Sequence, residues 1–157
     1  MTGPIMYSFD TSVVINGRRD LLPPEIFPSV WSKIEGMIAS GAVRAPDEVR
    51  IELGKRDDAT KAWSDSQPAL FVQLDMDIQA ATAAILADHQ RLLGSGKGRN
   101  GADPWVIGMA KARNCVVVTE EKATGNPNKP KIPDVCLAVG VRCVNLIGFI
   151  RDQRWSF

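Results

Sequence analysis

The sequence has little of what several classes of protein require. Among its 157 residues are three cysteines and one histidine, and the cysteines lack the Cys-x-x-Cys spacing of a zinc or redox site. Three thiols cannot all pair, so we expect reduced, buried cysteines rather than a disulfide framework. No apolar run approaches the ~20 residues that span a bilayer, and the first residues lack the basic and apolar regions of a signal peptide. We therefore expect a cytoplasmic protein with no membrane segment.

Length and composition are those of one globular domain. Hydrophobic residues make up 45% of the chain and charged residues 24%, both ordinary values. We expect a single domain over residues 1–157, with residues 1–5 as a candidate disordered extension because Met6 offers an alternative start. The net charge is only +1, but residues 47–77 hold eight acids against four bases, and residues 97–131 hold seven bases against three acids. This distribution suits an acidic metal site beside a basic surface that binds phosphates. It is also typical of two charged, solvent-exposed surfaces.

Short β-branched runs alternate with stretches of helical periodicity along the chain. The runs that suit strands lie at residues 5–9, 43–45, 71–74, 115–118 and 142–145. The clearest helices are predicted at 29–40, at 75–93 and at 103–114. This alternation, without internal repeats, predicts an α/β domain built on a parallel sheet of four or five strands.

The most informative segment, residues 101–121, carries acids at both of its ends. Asp103 precedes Pro104, which suits the first turn of a helix. The apolar run 115–118 suits a strand covered on both faces, and Glu120 and Glu121 follow shortly after its carboxyl end. In open parallel sheets, ligands bind at that edge. The segment therefore delivers acids from a helix and from a strand toward one region.

Acids stand at the ends of four predicted elements: Asp10 after the first strand, Glu52 in the helix after the second, Asp103, and Glu120 or Glu121. Singly, each has a structural explanation, such as the N-cap of a turn or helix, or an exposed surface charge. Together they would repel one another unless a cation lay between them. Mg²⁺ and Mn²⁺ are the hard ions that carboxylate oxygens suit, so we expect one or two such ions at this site.

Four short motifs contain these acids. They are Phe9-Asp10-Thr11-Ser12 with Val13-Val14-Ile15, Val49-Arg-Ile-Glu52-Leu53, Ala102-Asp103 followed by Ile107 and Ala110, and Val117-Val118-Thr119-Glu120-Glu121. In this order and spacing the sequence resembles the PIN-domain ribonucleases, including toxins of VapC type. The family's first three invariant acids match Asp10, Glu52 and Asp103. Its fourth motif is usually Thr-x-Asp, so Glu121 stands at the acid position as a departure, with Glu120 as the alternative.

The resemblance implies a PIN-like fold, in which helices cover both sides of a central parallel sheet, and divalent-metal-dependent endonucleolytic cleavage of RNA. It assigns catalysis to Asp10, Glu52, Asp103 and Glu121, and makes these four, together with Glu120, the candidate ligands of Mg²⁺ or Mn²⁺. The hydroxyls that could orient water or a carboxylate belong to Thr11, Ser12 and Thr119. The lysines placed to neutralise the RNA backbone near such a site are Lys122, Lys129 and Lys131. A small antitoxin partner and a homodimer are further implications.

Two other functions are compatible with the sequence. A catalytically inactive PIN-like module could retain the fold and bind protein or RNA. The glutamate in the fourth motif leaves this alternative open, although the three matching acids argue against it. An aspartyl-phosphate phosphatase also begins with a strand followed by Asp-Thr and would use Asp10 as its nucleophile, but Ser12 stands where that chemistry wants a second acid. The glycine-rich loop at 94–101 does not fit the phosphate-binding P-loop pattern, because Gly98 follows Lys97.

Overall fold

Five short strands form the sheet in the computed structural model of the protein, which describes residues 4–56, 58–93 and 101–157. The strands are β1 (Tyr7–Phe9), β2 (Val43–Pro46), β3 (Phe71–Val72), β4 (Val116–Val118) and β5 (Cys143–Val144). Their order is β3-β2-β1-β4-β5, and every pairing is parallel. The predicted parallel sheet is therefore confirmed. Residues 1–3 of the predicted extension and residues 94–100 of the glycine-rich loop lie outside the described residues.

The described residues also form eight α-helices. These are α1 (Thr11–Asn16), α2 (Pro28–Ser40), α3 (Asp47–Gly54), α4 (Ala59–Asp65), α5 (Met76–Asp88), α6 (Asp103–Arg113), α7 (Ile132–Val139) and α8 (Leu146–Gln153). Two of them end at a glycine in the left-handed conformation, α2 at Gly41 with φ 91° and α7 at Gly140 with φ 75°. Glycine suits this position because it has no Cβ to clash there.

One predicted helix, over residues 75–93, is interrupted in the structure. Helix α5 ends at Asp88, and a 3₁₀ turn follows at Gln90–Leu93. His89 lies at the break with a φ of −135°, which is outside the helical range. The turn after it buries Leu92 completely. Burial of that side chain in the core therefore decides the local conformation rather than the helical periodicity of the sequence.

Alternating side chains of β1 contact helices on opposite faces of the sheet. On one face the Ser8 hydroxyl donates a hydrogen bond to the Val106 carbonyl oxygen of α6, at 2.9 Å. On the other, the rings of Tyr7 and Phe9 meet Phe149 of α8 edge-on, with centroids 4.8 and 5.2 Å apart. Helices therefore cover both faces, as the resemblance implied.

The strand order places a crevice beside the end of the central strand. The chain leaves β1 toward β2 on one side, while β4 lies on the other side of β1. Phe9 is in register with Val118, and the Asp10 amide donates to the Val118 carbonyl oxygen at 2.9 Å. The residues that follow β1 and β4 are thus neighbours at the carboxyl edge of the sheet. Doubly wound sheets bind ligands at this point, where the strand order reverses.

Helix α6 is held close to the site by its crossing with α5. A Cβ built on Gly108 of α6 would lie 1.8 Å from Thr82 Oγ1 and 3.1 Å from the Thr82 Cα of α5. Only glycine permits this approach. The crossing and the Ser8 hydrogen bond together fix where the first residue of α6, Asp103, lies relative to β1.

Candidate metal centre

Three carboxylates from three separate elements meet at the crevice. Asp10 follows β1, Asp103 is the first residue of α6, and Glu121 lies three residues beyond the end of β4. One oxygen of each lies within 4.8 Å of one oxygen of each of the others. Asp10 and Asp103 are 2% and 4% exposed, and Glu121 is half-buried. We call Asp10, Asp103 and Glu121 the acidic cluster.

Two hydroxyl groups fix the carboxylate of Asp10. Its Oδ2 accepts hydrogen bonds from Ser12 Oγ at 2.6 Å and from Thr119 Oγ1 at 2.8 Å. Each hydroxyl also accepts a backbone N–H, from Glu120 at 2.9 Å for Ser12 and from Glu121 at 3.1 Å for Thr119. Because backbone N–H groups and hydroxyls can donate to a hydroxyl oxygen but an ionised carboxylate can only accept, the protons of both hydroxyls are directed at Asp10. The carboxylate is therefore held in one orientation before any ligand binds.

Asp103 does not cap its helix. The cap position belongs to Ala102, no side-chain cap hydrogen bond is present there, and Asp103 is already the first helical residue. The interpretation of Asp103 as an N-cap is therefore wrong. Its Oδ2 is buried and has no hydrogen-bond partner among the residues that the structure describes. A buried polar atom without a partner costs about 1–3 kcal/mol, and more when it is charged, so it marks a place where a ligand belongs.

Asp10 and Asp103, two members of the acidic cluster, have raised pKa values. Burial, followed by the negative charges of Asp10, Glu121 and Glu52, raises the pKa of Asp103 to about 9. Burial also raises the pKa of Asp10 to about 6, with a further contribution from Glu121 and Glu52, although the two hydroxyl hydrogen bonds oppose the shift. A divalent cation would replace these protons and remove the repulsion. The oxygen-only donor set and the unpartnered Asp103 Oδ2 fit Mg²⁺ or Mn²⁺.

The two consecutive glutamates of the fourth motif have different positions. Glu121 belongs to the acidic cluster, and its Oε1 accepts the backbone N–H of Ile132, the first residue of α7, at 3.1 Å. Glu120 Oε2 instead accepts the N–H of Leu146, the first residue of α8, at 2.7 Å. Carboxylates stabilise helix N-termini in this way. The structure therefore brings Glu121, and not Glu120, together with Asp10 and Asp103.

Glu52 lies at the edge of the site rather than in the acidic cluster. It is half-buried on α3, where Val49 and Leu53 are completely buried and orient the helix as their spacing predicts. Its Oε1 accepts a hydrogen bond from Thr11 Oγ1 at 2.6 Å. Its negative charge still raises the pKa of Asp10, so it belongs to the same electrostatic unit.

A cavity of about 540 Å³ opens above the acidic cluster. It is lined by Asp10, Thr11, Ser12, Ile15, Asn16, Glu52, Lys55, Arg56, Asp103 and Glu121. The predicted lysines Lys122, Lys129 and Lys131 are absent from this lining. The basic residues present are Lys55 and Arg56, which the sequence reasoning missed. They follow directly after α3, three and four residues beyond Glu52, and this short separation is the signal in the sequence that could have found them.

Comparison with known proteins assigns the chain to a family. A family described as a domain of unknown function (DUF4411) matches residues 7–157. The chain belongs to the DUF4411 family. No curated protein matches the sequence. The family description names no activity, so the function of this DUF4411 protein has to be argued from its site.

Two solved structures share the fold of this DUF4411 protein. VapBC2 from Rickettsia felis, solved bound to a DNA fragment from its promoter, superposes with a TM-score of 0.56 at 13% identity, over 90% of this chain and 98% of that chain. FitAcB from Neisseria gonorrhoeae superposes with a TM-score of 0.51 at 17% identity, over 89% and 97%. At such identities the likeness concerns the fold, which is PIN-like, as the sequence motifs predicted. None of the helices in the described part of the chain is long and apolar enough to cross a membrane.

Proposed function

We propose that this DUF4411 protein is a divalent-metal-dependent endoribonuclease and the toxin of a toxin–antitoxin system. The observation that carries the proposal is the environment of Asp103. Its buried Oδ2 has no hydrogen-bond partner among the described residues, and an oxygen of each of two other carboxylates lies within 4.8 Å of an Asp103 carboxylate oxygen. Such an arrangement destabilises the fold unless a cation occupies it, so a function that uses the cation accounts for its presence.

The acidic cluster holds Mg²⁺ or Mn²⁺, as one or two ions, through carboxylate oxygens of Asp10, Asp103 and Glu121. When bound, the metal lowers the pKa of a water molecule and offsets negative charge on the phosphodiester during in-line displacement of the 3′ oxygen. Ser12 and Thr119 keep the Asp10 carboxylate in its binding orientation. The deprotonated form of all three acids is the one that binds the cation, so metal binding releases protons from Asp10 and Asp103.

Glu52 acts from the edge of the acidic cluster. Thr11 holds its Oε1 at 2.6 Å, which leaves Oε2 to orient the attacking water and accept its proton. Glu120 has no part in the chemistry in this proposal, because its carboxylate caps α8 through Leu146. Glu52 therefore contributes to catalysis, and Glu120 to the stability of the fold.

The substrate is RNA, and the partner is a small antitoxin protein that acts with the nuclease in the cytoplasm, where the chain forms a homodimer. Support for this assignment comes from the four motifs that resemble VapC-type toxins and from the likeness in fold to VapBC2 and FitAcB. Lys122 and Lys129 are exposed and Lys131 is half-buried. All three lie outside the cavity lining, so in this proposal they lie away from the nucleotides nearest the cleaved bond.

Incubation with total cellular RNA tests the proposal. Wild-type protein is incubated with and without Mn²⁺, beside Asp103→Asn, and new RNA ends are mapped by sequencing. We expect discrete new ends that require both Mn²⁺ and Asp103. Glu120→Gln is the matched control, because it removes a neighbouring carboxylate that lies outside the acidic cluster, and it should cleave as wild type does. Equal cleavage in EDTA, or full activity of Asp103→Asn, would contradict the metal chemistry.

The RNA incubation, together with thermal unfolding in Mn²⁺ and a phosphomonoesterase assay, separates the alternatives. An inactive PIN-like module would give no new ends and no stabilisation by Mn²⁺. A phosphatase that uses Asp10 as its nucleophile would need a second acid two residues on, and Ser12 at that position donates a hydrogen bond to Asp10. Hydrolysis of a small phosphomonoester without cleavage of RNA would favour the phosphatase over the nuclease.

A further inference from the structure

The cavity above the acidic cluster has a basic edge formed by Lys55 and Arg56. Both residues follow directly after α3, the helix that carries Glu52, and both line the cavity. The other charged residues of the lining are the four acids. The cavity therefore has a negative interior and two positive groups at one edge.

The two basic side chains differ in whether they already have an interaction partner. Arg56 Nε donates to Asp58 Oδ2 at 3.1 Å, and Asp58 is the cap of α4, where it accepts the N–H groups of Thr60 and Lys61. Arg56 is thereby tied to the start of α4. Lys55 is exposed and forms no ion pair with any described residue, although Glu52 lines the same cavity. Its ammonium group is available to an incoming anion.

An RNA strand presents one negative charge per nucleotide, so a strand cleaved at the acidic cluster places further phosphates around the cavity. The cleaved phosphate must enter the cavity, because Asp10 and Asp103 are 2% and 4% exposed. The phosphate next to it then lies at the cavity edge. A cation at that edge is needed, because the carboxylates repel any phosphate that a metal does not neutralise.

We propose that Lys55 binds the RNA phosphate adjacent to the one that is cleaved, and that it does so in place of the lysines at 122, 129 and 131. The inference rests on the proposed function, since it assumes that the acidic cluster marks the point of cleavage. Lys55 is a substrate-binding residue in this account. Arg56 supports it by joining the end of α3 to the start of α4 through Asp58.

Salt-dependent binding of a short single-stranded RNA tests the role of Lys55. Fluorescence anisotropy is measured over a salt series for Asp103→Asn protein, which does not cut the RNA, and for the same protein carrying Lys55→Ala. Loss of one phosphate contact should weaken binding about tenfold and lower the slope of log K against log salt by about 0.7. Lys55→Arg, which retains the charge, should restore most of the RNA affinity and most of the salt dependence.

Two controls make the result specific to Lys55. Lys61→Ala removes a lysine of α4 that pairs with Asp65 at 3.0 Å and is not part of the cavity lining, so its slope should equal that of the parent protein. The double variant Lys129→Ala with Lys131→Ala tests the competing surface. A normal slope for Lys55→Ala, or a larger loss of slope in the double variant, would overturn the proposal.

Parallel cleavage assays with wild-type protein distinguish this inference from the proposed function. If wild type cleaves RNA with Mn²⁺ but Lys55→Ala binds RNA normally, only the assignment of Lys55 is wrong. If the salt slope depends on Lys55 but no cleavage occurs, the RNA site stands and the nuclease proposal fails. If the protein binds no RNA at all, both are wrong.

Discussion

Replacement of Asp103 by asparagine should have opposite effects on stability and on metal binding. In the metal-free protein, burial and three neighbouring carboxylates raise the pKa of Asp103 to about 9. In the unfolded chain the same group has an ordinary pKa of about 4. At pH 7 the folded protein therefore retains a proton on Asp103 that the unfolded chain releases. A raised carboxyl pKa means that stability is lost as pH rises above the unfolded value, up to the folded value.

The size of the effect follows from these pKa values. Each pH unit between the unfolded pKa and pH 7 contributes about 1.4 kcal/mol, so the cost of keeping Asp103 protonated at pH 7 is about 4 kcal/mol. Asparagine is neutral in both states and removes this cost. Its amide brings new donors into a buried site, which costs about 1–3 kcal/mol when they are unpaired. The net expectation is a gain of about 1–3 kcal/mol in the unfolding free energy of the metal-free protein, or a few degrees in Tm.

Thermal unfolding in EDTA and in Mn²⁺ measures both effects at once. Wild type should gain about 2.7 kcal/mol at a Mn²⁺ concentration of one hundred times Kd. Asp103→Asn should unfold at higher temperature than wild type in EDTA at pH 7, and Mn²⁺ should add nothing. The advantage in EDTA should shrink as pH falls and be gone by about pH 3, where the carboxyl is protonated in both states. Glu120→Gln should keep the full response to Mn²⁺ and lose up to about 1 kcal/mol, because the charge at the start of α8 is removed.

Two results would refute this reasoning. If Asp103→Asn is less stable than wild type in EDTA at pH 7, the carboxylates do not repel one another in the way that the geometry requires. If Asp103→Asn retains the stabilisation by Mn²⁺, the ion binds elsewhere. A loss of the Mn²⁺ response in Glu120→Gln would instead show that the wrong glutamate has been placed in the acidic cluster.

Three further predictions concern the supports of the site. Because Asp10 and Asp103 have pKa values raised to about 6 and about 9, Mn²⁺ affinity should rise steadily from pH 6 to pH 9, and calorimetry in buffers of different ionisation heat should detect proton release. Thr119→Val removes a hydroxyl that donates to Asp10 at 2.8 Å, so it should weaken Mn²⁺ binding by one to two orders of magnitude in the same titration, as expected for loss of ~1.5–3 kcal/mol. Gly108→Ala places a Cβ 1.8 Å from Thr82 Oγ1, so urea unfolding should show a loss of about 1–3 kcal/mol, and Thr82→Ala should recover part of it.

The parts of the fold that follow from local sequence were predictable. β-Branched runs located the strands and helical periodicity located the main helices, and an acid directly after β1 was enough to nominate Asp10. Parallel strands bring their carboxyl ends to one edge of the sheet, so the meeting of Asp10 with the residues after β4 also followed from sequence. The predicted end of α5 and the predicted capping role of Asp103 were wrong, because tertiary packing decides both. The burial of Leu92 ends α5 early, and the position of α6 makes Asp103 a buried helical residue rather than a cap.

The choice between the two glutamates could not be made from the sequence. Glu121 is held by the N–H of Ile132, 11 residues ahead, and Glu120 by the N–H of Leu146, 26 residues ahead. Neither partner can be identified until the starts of α7 and α8 are located in space. The basic edge of the cavity was not predicted from the sequence for a different reason. Lys55 and Arg56 lie in a strongly charged stretch that is typical of a solvated surface, and only the position of Glu52 distinguishes them from other exposed bases.

Without a cation, the repulsion between the carboxylates destabilises the fold, and packing elsewhere in the molecule must offset it. The structure shows which contacts do so. Asp103 could lower its pKa by moving toward solvent, but α6 is fixed by the contact of Gly108 with α5 and by the hydrogen bond from Ser8 to Val106. Asp10 cannot turn away, because Ser12 and Thr119 hold its Oδ2. The packing that keeps the carboxylates together against their repulsion is therefore what gives a cation a preformed site. Substitutions that loosen α6 should lower metal affinity even where they raise the stability of the metal-free protein, because relief of the repulsion and loss of the site are the same structural event.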